Sequence, residues 1–345
     1  MEAKITKTLL KKLNVYPKEV EIFEKEWPNG ARVTDENLKR ARELGIIIGW
    51  IADNHKTPQK ILNKLAKSCD PQIRATVACN SNTPIKTLVE LSKDKDWSVR
   101  KGVAGNEKTP KEALLTLSKE KDWRIRESVA ENRATTQQVL SSLSQDKNWR
   151  IRWCLARNES LSKRILAKLG KDKSNLVQRW VAFNPNTPKE TLSELGKHKD
   201  ITVLWMLGQN KNTPQKTLVE LSKRKRLRLL VCTNTNLTKK ILAEHAKDSD
   251  IGVRKSVAGN NSTPKKALKN LSKEKNKHIR KNLAWNTNTP KDILSLLFKE
   301  EHFPTRWGLS INPSTPAETL KELRKDKVDW VRKGATKNLS SRKKT

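Results

Sequence analysis

Lysine returns to one point of this chain at a fixed interval. Lys67, Lys93 and Lys119 are 26 residues apart, as are Lys171, Lys197 and Lys223, and Lys247, Lys273, Lys299 and Lys325 continue the series. A second lysine follows two residues later at Lys95, Lys121, Lys147, Lys173, Lys199, Lys225, Lys275 and Lys327. One cation at a helix C-terminus complements the macrodipole. Two in register form rails, with charges spaced by one packed layer, about 10 Å. Such rails suit a phosphate backbone, where lysine neutralises charge without reading sequence. The residues assigned to that contact are Lys93, Lys95, Lys119, Lys121, Lys171, Lys173, Lys197, Lys199, Lys223, Arg224, Lys225, Arg226, Lys273 and Lys325.

The bulk charge agrees. Lys and Arg number 73 against 37 acids, a net +36. That is far above the roughly 2–8 charges that keep a small domain soluble. It predicts attraction to a polyanion: nucleic acid first, then an acidic protein or anionic membrane.

A second set of residues lies eight, five and one positions before a recurring asparagine. Those spacings share one helical face. The face varies from unit to unit and mixes cations with aromatics: Lys101, Arg124, Arg150, Trp153, Arg157, Arg179, Phe183, Trp205, Gln209, Lys255, Lys281, Trp285, Trp307 and Lys333. Aromatic and basic residues together suit stacking on bases with phosphate contact, so these are the candidate readers. Trp97, Trp123 and Trp149 each open a helix and are expected to pack between layers.

No constellation for catalysis emerges. There is no Gly-rich phosphate loop, no Ser/His/Asp set, no HExxH and no conspicuous carboxylate pair. His55, His198, His245, His278 and His302 have no metal-ligand spacing, so no metal and no cofactor are expected. Cys69, Cys79, Cys154 and Cys232 form no CxxC pair and read as small buried residues of a reducing, cytoplasmic compartment. No signal peptide is visible. The longest apolar stretch, Leu44 to Ala52, is far short of the ~20 residues that span a bilayer.

The elements that position these residues follow from the asparagines. Asn54, Asn80, Asn106, Asn132, Asn158, Asn184 and Asn210 keep the 26-residue interval; Asn234 comes 24 later, and Asn260, Asn286, Asn312 and Asn338 resume it. A period of this length marks a tandem array, quasi-one-dimensional, without a single core. Within the unit from Asp96 to Lys121, Thr109-Pro110-Lys111-Glu112 predicts a helix start with Thr as N-cap, Pro at N1 and Glu closing a capping box. Leu114 and Leu117 then face inward, and paired leucines recur in each unit. A shorter helix runs from Asp96 to Gly105, with Val99, Val103 and Ala104 apolar, Asp96 capping it and standing four residues before Arg100. The asparagine ends that helix, where it tolerates the left-handed conformation. Its amide can bond the next loop's backbone.

Two helices per unit give an all-α fold, an α-solenoid wound as a right-handed superhelix of about eleven 26-residue helix-pair repeats. Stacking at 8–10 Å per layer makes a curved rod roughly 100 Å long. Residues 1–45 do not fit the period and read as an N-terminal helical cap, 46–338 as the repeats and 339–345 as a flexible tail. The register is shortened by two residues near 222–228, where five of the six residues 223–228 are basic. Thr-Pro is missing after Asn132, Asn158 and Asn234, and the arginine of the first helix gives way to Gln178 and Leu204. The stretch from 150 to 235 is therefore the least regular.

The pattern V-R-x-x-V-A-x-N-x-x-T-P-x-x-x-L-x-x-L over 46–338 resembles the leucine-rich repeat variant family, itself similar to HEAT repeats. The resemblance implies one α-helix and one shorter helix per unit. Some members carry an N-terminal cysteine cluster for an iron–sulfur centre; this chain has none. The resulting expectation is a monomer, or part of a nucleoprotein complex, that binds nucleic acid without catalysis, DNA favoured over RNA because continuous rails match a regular phosphate array. One alternative is an interaction scaffold for an acidic protein. The likeness to HEAT repeats implies a second, an alkyl-base DNA glycosylase. No membrane contact is expected, since no lipid-facing amphipathic helix stands out.

Overall fold

The structure is a computed structural model and describes residues 4–342. Its helices group into two compact units, one ending at Leu169 and one beginning at Gly170. In the first, Lys4–Ile5 pairs antiparallel with Ala31–Arg32. Around that ribbon pack the helices Lys7–Lys12, Pro17–Glu26 and Asp35–Glu43, closing over Leu10, Val20, Phe23 and Leu38. Gly30 has φ +78°, and a Cβ there would stand 2.8 Å from the Ile5 carbonyl oxygen, so only glycine fits this turn.

Helix pairs follow. The first helices of the first unit are Ile48–Asp53, Pro71–Cys79, Trp97–Gly105, Trp123–Glu131 and Trp149–Arg157, each leading into a second helix, for example Lys111–Leu117. The second unit repeats the pattern from Asn175–Phe183 to a final helix, Asp329–Arg342, which runs on past residue 339; residues 343–345 of the expected tail lie outside the described residues. Each paired leucine is buried, Leu114 at 0% and Leu117 at 1% exposure. Within each unit, first helices of successive repeats pack directly on one another, while second helices mainly meet the first helices beside them. Gly102 permits that approach: a Cβ there would lie 3.0 Å from the Ala75 carbonyl oxygen and from the Ala78 Cβ.

The first helix of a pair is the longer and not, as expected, the shorter, with nine residues in Trp97–Gly105 against seven in Lys111–Leu117, and three further local expectations are corrected. The asparagine does not enter the left-handed region; Asn106 has φ −79° and ψ 122°. Its Nδ2 donates to the carbonyls of Ala78 and Asn80 in the preceding repeat, at 2.8 and 3.0 Å, and its Oδ1 accepts from Lys108 N. The same bonds recur at Asn80, Asn132, Asn210, Asn260, Asn286 and Asn312, so the asparagines form a ladder that ties each repeat to the one before.

The threonine is not the N-cap. Thr109 is 3% exposed and its hydroxyl donates to the Val103 carbonyl at 2.6 Å, satisfying the end of the first helix. Pro110 occupies the cap position, φ −58° and ψ 149°, and Glu112 closes no box. Where the pair reads Thr135-Thr136, Thr135 takes the buried role and Thr136 caps the helix.

The third correction concerns Arg100. Asp96 caps as expected, accepting from Ser98 N at 2.8 Å, but Arg100 pairs with Glu120, twenty residues on, at 2.9 Å.

Candidate nucleic-acid interface

The rails occupy the edge where each second helix turns into the next first helix. Lys93, Lys95, Lys119 and Lys121 are exposed in the first unit; Lys171, Lys173, Lys197, Lys199 and Lys273 are exposed in the second. None of these nine makes an ion pair among the described residues. Lys223 and Lys325 reach Glu220 and Glu322 three residues earlier, in pairs so exposed that they add little.

The reason the rails stay bare lies between them. The residue separating the two lysines is usually an acid, and it turns inward onto the arginine twenty residues earlier. Arg74 grips Asp94 through Nε and Nη2 at 2.7 and 2.9 Å, with both side chains about nine-tenths buried, and its Nη1 donates to the Ser68 carbonyl. Arg126 holds Asp146, Arg254 holds Glu274 and Arg306 holds Asp326 in the same way, and Arg280 reaches Glu300 through Nη1 while its Nε donates to the Glu274 carbonyl. Burial alone would raise the Asp94 carboxyl, but the Arg74 guanidinium and the Asp96 N–H hold it below its ordinary value; Asp326 behaves likewise beside Arg306. This clamp escaped the sequence reading. Its signal was present: where the arginine is lost the acid twenty residues on is lost too, at Ile48/Ser68, Gln178/His198 and Leu204/Arg224. An unpaired buried arginine would cost several kcal/mol, of order 3–5.

The shortened register gives a different basic cluster. The linker between Gln215–Ser222 and the next helix shrinks to Lys223 and Arg224. The following first helix, Lys225–Val231, has seven residues instead of nine, and Arg224 caps it without a side-chain bond. Lys223, Arg224, Lys225 and Arg226 are all exposed. Three of them stand at the positive end of the helix dipole, which opposes cations there.

The varied stripe lies on the outward side of the first helices. An open groove of about 480 Å³ is lined jointly by Trp97, Arg100, Thr116, Lys119, Glu120, Lys121 and Asp122. Two rail lysines thus share a groove with Trp97 and Arg100 of a first helix. Trp97 and Trp149 do not pack in the core: they are 38% and 40% exposed, and Trp123 is half-buried. The next repeat covers two of these indoles instead, with Arg124 3.5 Å above Trp97 and Arg150 5.2 Å above Trp123, while Trp149 has Arg150 of its own helix near it, at 5.8 Å. Arg124 is also held by Asp122, whereas Arg150 follows the neutral cap Asn148. Lys101 and Arg157 are exposed; Trp153 is half-buried under Arg157, 4.6 Å away. Glu127 and Glu131 interrupt the basic face and, after burial itself, help push the Cys154 thiol far up, so this cysteine is a buried thiol and not a nucleophile.

The second unit's face is more apolar. Phe183, Trp205, Trp285 and Trp307 are 42%, 46%, 39% and 37% exposed, and Leu176, Leu229 and Ile251 join them. Lys255 and Lys333 are exposed, while Lys281, Gln209 and Arg179 are half-buried, Arg179 with its Nε enclosed and without a hydrogen bond. Lys333 bonds Asp329 at 2.7 Å. Among the described residues no group of acids, histidines and cysteines could hold a metal, and no helix is long and apolar enough to cross a membrane.

No family model and no curated protein matches the chain. Among solved structures it is similar to a leucine-rich repeat variant with a repetitive structural motif, at 21% identity and TM-score 0.47, over 61% of this chain and 84% of that one. It is also similar to a chain from a complex of Kap95p with RanGDP, at 11% identity and TM-score 0.34, over 96% of this chain and 48% of that one. Importin beta is a third, at 12% identity and TM-score 0.29, where the match spans 93% of this chain and 47% of that one.

Proposed function

We propose that this helical-repeat protein binds nucleic acid through its phosphate backbone, double-stranded DNA above RNA, without catalysis. The observation that carries the reading is the bare rail. Arginine clamps draw the intervening carboxylates inward, leaving lysines of successive repeats exposed and unpaired. An array of free cations one layer apart fits a polyanion of regular charge spacing. The cations at Lys223–Arg226, placed against their helix dipole, add to it. The aspartate beside Trp97 is already engaged: Asp122 caps its helix and binds Arg124. An acidic protein is the second reading, favoured by the apolar residues Leu176, Leu229 and Ile251 on the second unit's face.

Charge reversal tests the first reading. Lys93→Glu, Lys119→Glu, Lys171→Glu and Lys197→Glu together should weaken binding to every duplex sequence alike and reduce the salt slope by about one per lost phosphate contact. Unchanged duplex affinity in this variant contradicts the reading. Retained duplex affinity with loss of an acidic protein ligand favours the second.

A further inference from the structure

The second unit carries an aromatic cluster that a phosphate rail does not need. Phe303 and Trp307 lie one turn apart on the same helix, ring centroids 6.2 Å apart and planes within 3° of parallel. Trp285, from the preceding repeat, meets Trp307 edge-on at 5.1 Å and 89°. The three rings are 37%, 37% and 39% exposed. They are also held. The Trp285 indole N–H donates to the Pro304 carbonyl at 3.1 Å, joining the two repeats. Its ring lies over Gly308, where any Cβ would come within 2.5 Å of it. A glycine kept free beneath an indole, and an indole pinned by its only polar atom, make a preformed step of aromatic faces.

Lysines stand beside that step. Lys277 and Lys281 project from the helix that ends in Trp285, neither in an ion pair among the described residues, and His278 and His302 meet at 6.4 Å. Glu300 is taken by Arg280. After burial, the nearby Lys277, His278 and Lys281 further lower the His302 pKa. Rigid exposed rings beside free lysines recognise a flat, electron-poor ring joined to a phosphate: a nucleotide. In a duplex the bases are stacked on one another and their faces are covered, so this step has no partner there. An unpaired base offers its face.

We infer that Phe303, Trp307 and Trp285 form a stacking site for unpaired nucleobases, with Lys277 and Lys281 taking the adjoining phosphates. The site therefore serves single-stranded segments or bases out of the helical stack. This rests on the nucleic-acid reading above.

The test uses the full chain with two fluorescent probes, an oligothymidine and a random duplex, measured by anisotropy. Joint Phe303→Ala and Trp307→Ala should weaken oligothymidine binding about ten-fold, within the range stacking contributes per base, and change duplex binding less than about two-fold. Trp307→Phe, which keeps a ring, should retain most of the oligothymidine affinity, and Gly308→Ala, which displaces Trp285, should lower it. Equal losses on both probes, or no loss on oligothymidine, overturn the stacking site while the rails stand. Duplex binding by the unaltered chain without oligothymidine binding overturns it also. No binding of either probe overturns both.

Discussion

Asn106 shows how one side chain can close a repeat. Its amide donates twice to carbonyls of the preceding repeat and accepts once from its own loop, and it is 5% exposed. Water cannot replace those partners. Asn106→Ala should therefore destabilise the chain by about 1–3 kcal/mol, the cost of leaving buried polar groups unmet. Asn106→Asp should cost more, because a carboxylate oxygen then faces the Ala78 and Asn80 carbonyls. Thermal melting of the two variants checks the order; an aspartate variant as stable as the native chain contradicts the ladder. That the asparagine is structural is legible from its spacing alone. Its conformation is not, because the C-terminal preference of asparagine suggests a left-handed residue. Bonds to the preceding repeat, visible only in three dimensions, hold the residue extended instead.

At the scale of the element, the arginine clamp joins a first helix to the linker that follows its own second helix. An acid four residues before Arg100 looks like its partner by helix geometry, yet Asp96 is engaged with the N-terminal amides of that helix. The guanidinium reaches Glu120 at the next turn between helices, a separation no helical rule supplies. The Thr-Pro pair misleads for the same reason. Its hydroxyl is drawn to the Val103 carbonyl at the preceding helix end, which also accepts from Asn106 N, and the proline takes the cap.

The clamp has a pH signature. Asp94 is held below its ordinary value of 3.8, so the stability it contributes is complete above that value and is lost as pH falls through the lower folded one. Asp94→Asn keeps the bond from Asp96 N but loses the charge facing Arg74. The variant should melt lower than the native chain at neutral pH, by about 1–3 kcal/mol of stability. The gap should begin to narrow as pH falls below the ordinary 3.8 and close only below the lower folded value, where the native carboxyl takes up its proton. A gap independent of pH, followed by circular dichroism, would rule out the charged clamp.

At the scale of the whole molecule, the helix pairs, the paired leucines and the lysine rails are legible in the sequence because each follows the period. The rails' bareness is not, since it depends on where the intervening acids turn. Nor is the exposure of Trp97 and Trp149: tryptophan opening three successive helices reads as core until the arginine stacked above it is seen. With a net charge of +36 and most of the assigned rail lysines outside ion pairs, the proposed phosphate binding rests on how many phosphates the chain would neutralise. Duplex affinity as a function of salt measures this directly. If the rails meet even six phosphates, the logarithm of the binding constant should fall against the logarithm of salt with a slope of about −5. A slope near zero, or no binding up to ~100 μM at about 100 mM salt, would contradict phosphate binding, since non-specific contacts of this kind have a Kd of about 10⁻⁴–10⁻⁶ M.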